Sequence, residues 1–312
     1  MLVPAYNPGG ALREAVTSVL AQSLTSLEVI VADDGSSDGA VDWAEAQAAA
    51  DPRLRVLRAA ENRGAAAARN RALAAARGEW LALLDADDSF APDRLARLVA
   101  LGEERQADIV VDNLRLMDAE GAMRGRALAR RDPLFSTPLT PAAFVRRNLF
   151  LTPGFKLGYL KPVFRHTFVK RHGLRQNEDL RIGEDFHFLL EALLAGGRCV
   201  ADPEAGYLYR MTPGSLSRRL SLADLQGLSM ANRALLARPE VQDDTALRQT
   251  LRRRQWSVDR NVQFTRFVEA LKGRRLRDAG GIFARHPDLT PFLAFYGLQS
   301  LRKRLPGGSH FV

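Results

Sequence analysis

The stretch WLALLDADD, residues 80–88, decides the fold of this chain because an apolar run ends there in three carboxylates within four residues. A short apolar run of this kind is typical of a buried strand in a parallel sheet. In open α/β sheets, the carboxyl ends of the strands lead into the loops where ligands bind. The sequence therefore predicts an α/β fold with a ligand site at residues 85–88.

The three carboxylates, Asp85, Asp87 and Asp88, predict a metal site. Carboxylates this close repel one another and raise each other's pKa unless a cation compensates them. Oxygen ligands suit a hard divalent cation such as Mg²⁺ or Mn²⁺. The alternative is a solvated acidic turn in front of the helix that begins near Pro92. The surrounding sequence has to decide between the two.

Further strand and helix patterns surround this stretch. Residues 1–7 and residues 27–32 read as apolar strands, and the second strand ends in the acidic turn DDGSSDG. Residues 54–57 give a third strand, and segments with helical spacing separate the strands. This alternation predicts a mostly parallel, doubly wound sheet with right-handed crossovers. Because the chain has neither a G-x-G-x-x-G after its first strand nor a P-loop motif, any nucleotide is expected to bind through carboxylates and a metal.

Length and composition limit the possible classes of protein only loosely. With 312 residues, 46% of them hydrophobic, the chain can form one large domain or one domain with an appendage. No apolar run reaches the roughly 18 residues that a membrane span needs, and the N-terminus lacks a secretory pattern, so we expect a cytoplasmic protein. The single cysteine, Cys199, provides no internal disulfide and is expected to be a buried structural thiol.

The net charge of +9 is unevenly distributed along the chain. Residues 251–312 contain 13 Lys and Arg against 4 Asp and Glu, so the whole excess of positive charge lies near the C-terminus. Such an excess is compatible with binding to nucleic acid or to anionic lipid, and also with a solvated helical surface. Charge alone does not decide among these three.

Four short motifs occur in order between residues 3 and 88. They are VPAYN (3–7), VADDGSSD (31–38), NRG (62–64) with ARN (68–70), and LDADD (84–88). Each motif is short, but their order and spacing together are specific. They resemble the successive motifs of the family 2 inverting glycosyltransferases, which have the GT-A fold. The resemblance favours a metal site over a solvated turn at residues 85–88.

The resemblance implies roles for individual residues. It places Asp34 at the nucleotide base, Asp85 at the ribose, and Asp87 at the metal that bridges the donor diphosphate. Asp88 would be an alternative metal ligand or would lie just behind the ligands. Arg69 would lie near the nucleotide, with a solvated helix residue as the alternative. The other candidates for substrate binding are Pro4, Tyr6, Lys161, Glu184, Arg210 and Ser215.

A second acidic motif, GED at residues 183–185, opens a predicted helix. The helix dipole favours acids in a first turn, so an ordinary helix start is one interpretation. The motif also resembles the catalytic-base motif of the same family, which makes Asp185 the base. Tyr209 and Arg210, together with Ser215, resemble a family element that closes over the diphosphate, with a surface turn as the alternative.

The resemblance covers about residues 1–220, which we expect to form the catalytic domain. Its later part is similar to bacterial glycosyltransferases of succinoglycan and exopolysaccharide synthesis. Residues 221–312 are predicted to be a basic helical region, with helices at 221–237, 241–273, 276–285 and 290–304. Basic amphipathic helices bind anionic lipid, so we expect peripheral contact with the inner face of the cytoplasmic membrane. A helical appendage packed on the catalytic domain is the alternative.

Together these features predict an inverting, metal-dependent glycosyltransferase that uses Mn²⁺ or Mg²⁺. The expected donor is a nucleotide sugar, with UDP favoured by the resemblance, and the expected acceptor is a glycan or a polyprenyl-diphosphate-linked sugar. Such a single displacement needs one base and no enzyme nucleophile. Two other classes remain open. A metal-dependent phosphotransferase or nucleotidyltransferase leaves the VPAYN motif unexplained, and a nucleic-acid-binding protein has no use for the acidic pocket.

Overall fold

The computed structural model describes residues 1–150, 152, 154–212 and 220–294. Its strands are β1 (Leu2–Ala5), β2 (Val29–Asp33), β3 (Leu54–Arg58), β4 (Trp80–Ala82), β5 (Ser89–Phe90), β6 (Ile109–Met117), β7 (Met123–Arg126), β8 (Val163–Arg165) and β9 (Cys199–Arg210). Its α-helices are α1 (Ala11–Leu20), α2 (Ala40–Ala50), α3 (Ala65–Ala75), α4 (Arg94–Glu104), α5 (Pro141–Arg146), α6 (His166–Arg171), α7 (Glu184–Leu194), α8 (Leu222–Leu236), α9 (Pro239–Asp243), α10 (Thr245–Lys272) and α11 (Leu276–Arg285).

The N-terminal strands form a parallel sheet in the order β1-β2-β3. A parallel bridge between Leu2 and Leu83 places the chain after β4 beside β1. The backbone N–H of Leu84 also donates to the carbonyl of Leu2 at 3.1 Å. Because these strands run in the same direction, the loops that follow β1, β2 and Leu84 all leave the same edge of the sheet. This edge is where the sequence predicts the ligand site.

The second sheet has the order β4-β8-β6-β9-β5, and β7 pairs with β6. Only β6 and β9 pair in parallel within it, so this half is mixed whereas the N-terminal half is parallel. One long strand, β9, runs from Cys199 to Arg210 in this sheet. The pairing register shifts after Asp202. Pro203 explains this shift in register, since proline has no N–H to donate to the ladder and is found at such irregularities.

Helix α3 packs on β1 and β2 and carries polar residues into the interior. Its buried face is made largely of alanine, including Ala68 and Ala72, and small side chains let a helix approach a sheet closely. Arg69 and Asn70 lie on this buried part of the helix, with 4% and 3% of their surface exposed. Polar groups at this depth need partners, and those partners belong to the site described below.

The described residues divide into two compact units. One contains residues 1–140 and 158–212, and the other contains residues 141–157 and 220–294. The predicted division at residue 220 does not include the inserted segment 141–157, whose helix α5 packs on α10 in the second unit. No helix in the described ranges is long and apolar enough to span a membrane. The predicted helix at 290–304 extends beyond the described residues.

Candidate active site

The loop after residue 84 brings together the three carboxylates that the sequence predicts as a metal site. Ligand oxygens of Asp85, Asp87 and Asp88 lie within 4.8 Å of one another. Asp88 is buried, Asp85 is partly buried and Asp87 is exposed. One side of the cluster is therefore held by the protein while the other is open to solvent.

Asp88 forms the buried side of the cluster. Its carboxylate accepts hydrogen bonds from the hydroxyl of Tyr207 at 2.7 Å and from the backbone N–H of Arg210 at 2.7 Å. The same hydroxyl accepts a hydrogen bond from the backbone N–H of Asp85 at 3.2 Å. Burial, and then the charges of Asp87 and Asp85, raise the pKa of Asp88 well above its ordinary value. The hydroxyl of Tyr207 thus holds the loop in place through two hydrogen bonds, a role that the sequence did not indicate.

Asp87 forms the open side of the cluster. Reduced solvation, and then the charge of Asp85, raise the pKa of Asp87 above its ordinary value. No described lysine or arginine forms an ion pair with it. Clustered oxygen donors with excess negative charge fit a hard divalent cation, because such a cation would remove the repulsion that the protein leaves in place.

Asp85 faces two buried cations. One oxygen lies 2.6 Å from the guanidinium of Arg69, and the other lies 2.6 Å from Nζ of Lys161. Burial alone would raise the pKa of Asp85, but Lys161 and Arg69 outweigh burial and lower it. Asp85 is therefore held ionised by these two cations, while its backbone N–H binds the Tyr207 hydroxyl.

The same two cations bind the acidic start of helix α7. Lys161 Nζ lies 2.5 Å from Asp185, and Arg69 lies 2.8 Å from Glu184 and 3.0 Å from Asp185. Gly183 precedes the helix with φ at +85°, a conformation that favours glycine. Burial, and then the charge of Asp185, raise the pKa of Glu184. Arg69 and Lys161 thus hold the predicted base beside Asp85.

Lys161 is buried, unlike most lysines in folded proteins. It is 4% exposed, and burial would lower its pKa, but Asp185 and Asp85 together outweigh burial and raise the pKa above its ordinary value. Lys161 therefore stays charged between two carboxylates. Its contact with substrate remains a prediction.

The predicted nucleotide end of the site lies at the ends of β1 and β2. Asp34 is 2% exposed and accepts hydrogen bonds from the backbone N–H groups of Arg63 at 2.9 Å and Gly64 at 2.6 Å. Pro4 lies within β1 and is half-buried, and Tyr6 follows β1 with 54% of its surface exposed. The structure thus brings the VPAYN, DDGSSD and NRG motifs to one edge of the sheet.

Two predicted residues lie at the end of β9 and beyond it: Arg210 is the last residue of the strand, and Ser215 follows it in the sequence. The guanidinium of Arg210 forms an ion pair with Glu14 at 2.7 Å and donates to the carbonyl of Ala119 at 3.1 Å. Its side chain is therefore engaged by the protein, and its contribution to the carboxylate cluster comes from its backbone N–H. Ser215 lies outside the described residues.

The loop in front of α7 supplies two contacts that the sequence did not indicate. The side chain of Gln176 accepts from Arg69 at 3.2 Å and donates to Asp185 at 3.5 Å. Asn70 binds the backbone of Gln176 in both directions, at 2.9 Å each. The ARN motif therefore places Arg69 on the acidic groups and uses Asn70 to position the loop. No periodicity in the sequence marks Gln176.

A buried ion pair between Arg94 and Asp112 holds the backbone of two segments that form the site. Neither side chain is exposed, and the two groups lie 2.7 Å apart. Arg94 also donates to the carbonyl of Lys161 at 2.7 Å, and Asp112 accepts from the backbone N–H of Gly206 at 3.0 Å. The pair therefore positions Lys161 and the residue before Tyr207. A Cβ atom at Gly206 would lie 2.8 Å from Arg94, so the position admits only glycine without rearrangement.

We expect Arg94→Met to lower the free energy of unfolding by about 3–5 kcal/mol, because it leaves the buried Asp112 carboxylate with only the more distant guanidinium of Arg97, at 3.9 Å. Denaturant unfolding measures the loss. The double variant Arg94→Met/Asp112→Leu removes both charges and should recover most of the stability. An equal loss in the single and double variants would contradict the ion-pair account and indicate a packing defect.

Comparisons with known proteins add independent findings. The model of a family described as glycosyl transferase family 2 matches residues 1–167. The chain is 38% identical over 280 residues to the succinoglycan biosynthesis protein ExoO of Rhizobium meliloti, covering 89% of this chain and 78% of that protein. It is 34% identical to ExoU, a succinoglycan biosynthesis protein of the same organism, over 93% of this chain and 84% of that protein.

Solved structures share the fold. The crystal structure of S. aureus TarS 1–349 in complex with UDP-GlcNAc superposes with a TM-score of 0.65 at 19% identity, covering 92% of this chain and 90% of that one. The mannosyltransferase PcManGT from Pyrobaculum calidifontis, in complex with GDP-Man and Mn²⁺, gives a TM-score of 0.60 at 21% identity, covering 98% and 80%. The GT-A class predicted from the sequence is the class of these neighbours.

Proposed function

Because this chain belongs to glycosyl transferase family 2, we propose that it transfers a sugar from a nucleotide-sugar donor to a glycan or polyprenyl-diphosphate-linked acceptor, with inversion at the anomeric carbon. We place the reaction in the synthesis of a bacterial exopolysaccharide, since the relatives ExoO and ExoU are named for succinoglycan biosynthesis. A UDP-sugar is the proposed donor, with TarS as the supporting neighbour. The GDP-Man in PcManGT makes guanine the alternative base.

One observation carries the proposal: the site contains two acidic groups that have different surroundings. The cluster Asp85, Asp87 and Asp88 has an open face, while Asp185 is held by Lys161 and Arg69. Both cations also bind Asp85, so the two groups keep a fixed separation. A single displacement needs this division, because negative charge grows on the leaving diphosphate while the attacking hydroxyl loses a proton on the other side of the sugar.

We propose that Asp87 and Asp88, with Asp85 beside them, hold Mn²⁺ or Mg²⁺. A bound divalent cation supplies charge stabilisation for the leaving diphosphate. Asp87 is the accessible ligand, and Asp88 is oriented by Tyr207 and Arg210. The hydrogen bonds from these two residues determine which lone pairs of Asp88 stay available.

We propose Asp185 as the general base that accepts the proton of the acceptor hydroxyl. Its side chain is 14% exposed, so an acceptor can reach it while the protein still orients it. Lys161 and Arg69 each occupy one direction of the carboxylate, which has about four lone-pair sites and so retains capacity for a further hydrogen bond. Glu184 instead contacts Arg69 and is proposed to help position that guanidinium.

At the donor end, we propose that Asp34 binds the nucleotide base and that Pro4 and Tyr6 line the same end of the site. Asp34 is already oriented by two backbone N–H groups and lies 3.3 Å from the guanidinium of Arg71. The exposed ring of Tyr6 provides a flat surface for contact with a base or ribose. Arg69, Lys161 and Arg210 are proposed to bring positive charge towards the diphosphate. Ser215 is proposed to close over it.

We further propose that residues 1–220 form the catalytic part and that residues 221–312 contact an anionic membrane. The excess positive charge of residues 251–312 supports the second proposal. A polyprenyl-diphosphate acceptor would itself lie at such a membrane, so contact of the enzyme with the bilayer would concentrate it near its acceptor.

A screen of nucleotide sugars tests the proposed reaction. The protein is incubated with Mn²⁺ and with single UDP- or GDP-sugars, and release of nucleoside diphosphate is measured. We expect one or a few donors to be turned over, by slow hydrolysis without acceptor and faster with a lipid extract. If no donor yields nucleoside diphosphate while another nucleotide substrate is cleaved, the proposed reaction is wrong.

A further inference from the structure

Exposed apolar side chains are concentrated in one stretch of sequence in the second unit. Of the eight large hydrophobic residues that are exposed in the described ranges, five lie between residues 256 and 293. They are Trp256, Leu271, Leu276, Phe283 and Leu293. Leu276 is the most exposed of these five, at 70%. Two of them, Leu271 and Leu276, lie five residues apart where α10 gives way to α11, and exposed apolar groups close together mark a surface that contacts a partner or a membrane.

Residues 271–277, which we call the basic corner, comprise the end of α10, the turn 273–275 and the start of α11. Every residue of the basic corner is exposed. Backbone hydrogen bonds close the turn, from Arg274 to Leu271 at 3.0 Å and from Arg275 to Ala270 at 2.8 Å. Arg274 adopts a positive φ of +55° within it. The side chains of the basic corner therefore extend from a defined turn into solvent.

The positive charge of the basic corner lacks compensation by the protein. Its cations are Lys272, Arg274, Arg275 and Arg277. Of these four cations, only Arg275 has a carboxylate partner within the described residues. The partner is Asp278, at the long distance of 3.9 Å. By contrast, the exposed Arg58 is paired with Glu45 at 2.7 Å. The basic corner therefore combines unpaired cations with an unpaired apolar side chain.

We propose that the basic corner is the part of the chain that contacts the surface of an anionic bilayer, with Leu276 entering the interface between the cations. The inference rests on the proposed membrane contact of residues 221–312 and names the segment that makes it. Lipid phosphates compensate the cations, and the headgroup boundary accepts a leucine at the same depth. A nucleic acid would use only the cations and would leave Leu271 and Leu276 in water.

Sedimentation of the full-length protein with vesicles tests the charge. Vesicles of phosphatidylcholine with about 30 mol% phosphatidylglycerol should bind the wild type at low salt, and pure phosphatidylcholine should not. The variant Lys272→Gln/Arg274→Gln/Arg277→Gln should bind about 100-fold more weakly, since each cation near the surface contributes about fivefold. The control Arg124→Gln/Arg130→Gln/Arg131→Gln removes the same charge from the first unit and should change binding much less. Equal losses in both variants would overturn the assignment to the basic corner.

A fluorescent label tests the apolar contact. The native Cys199 is partly exposed, but burial raises the pKa of its thiol to about 12, so a dye reacts preferentially with an introduced cysteine at an exposed position. An environment-sensitive dye at Leu276→Cys should shift to the blue with the anionic vesicles. The same dye at Met230→Cys, a position 72% exposed on α8, should not shift. No shift at residue 276, or displacement of the protein from vesicles onto short RNA at equal phosphate concentration, would overturn the proposal. Neither assay depends on turnover, so a failed donor screen leaves this inference standing and a failed vesicle test leaves the transferase standing.

Discussion

Asp185→Asn should lower the rate of sugar transfer by a factor on the order of 10²–10⁴, the usual contribution of a general base. The substitution keeps the size of the side chain and removes its ability to accept the acceptor proton. Binding of the nucleotide sugar should change little, because Asp34, Asp87 and Asp88 lie on other loops. Initial rates with the donor and acceptor identified by screening, together with donor affinity by calorimetry, measure both expectations.

Glu184→Gln is the matched control for the base, because Glu184 is the neighbouring carboxylate and binds the same arginine as Asp185. We expect a smaller loss of transfer from this variant, caused by weaker positioning of Arg69. Near-normal transfer by Asp185→Asn together with inactive Glu184→Gln would assign the base to the other residue. Normal transfer by both variants would contradict a base at the start of α7.

Asp87→Ala should abolish transfer, and excess chelator should do the same to the wild-type protein. Loss of folding would not explain this result. Because the pKa of Asp87 is raised, its charge is unfavourable in the folded protein, so its removal should leave metal-free stability unchanged or higher at neutral pH. For the wild type, Mn²⁺ at about 100 times its Kd should stabilise the fold by about 2.7 kcal/mol. Thermal unfolding with and without Mn²⁺ should show this gain in the wild type and not in Asp87→Ala.

Asp93→Ala serves as the control for the metal site, since Asp93 is an exposed acid just before α4 and outside the cluster. It should keep both activity and the stabilisation by Mn²⁺. Full turnover of the wild type in excess chelator, or equal stabilisation of Asp87→Ala by Mn²⁺, would contradict a metal at residues 85–88.

The family, the enzyme class and the GT-A fold were predictable from the sequence and are confirmed by the family match and by the solved neighbours. Short motifs at strand ends made this possible, since the strands before residues 33–39 and 85–88 lead into acidic loops. The parallel order of the first three strands also follows from the alternation of strands and helices. The roles of individual site residues and the domain division at residue 220 stay predictions.

The support beneath the site was not predictable, because it depends on contacts between residues far apart in sequence. Tyr207 binds Asp88 across 119 positions, and Arg69 binds Glu184 across 115. Tyr207 lies on a strand where an aromatic residue is ordinary core, so its hydroxyl contact leaves no local signal. Lys161 is similarly positioned by the contact of its carbonyl with Arg94 and by the carboxylates of Asp85 and Asp185, which lie far apart in sequence.

The anomeric configuration of the product tests the central claim most directly, because a single displacement with one base requires inversion. Proton NMR of the product made from the donor identified by screening gives the configuration of the transferred sugar, since a glycosidic linkage does not equilibrate between anomers. We expect an α-linked donor to give a β-linked product. An α-linked product from an α-linked donor would contradict the single displacement and the role of Asp185 as its base.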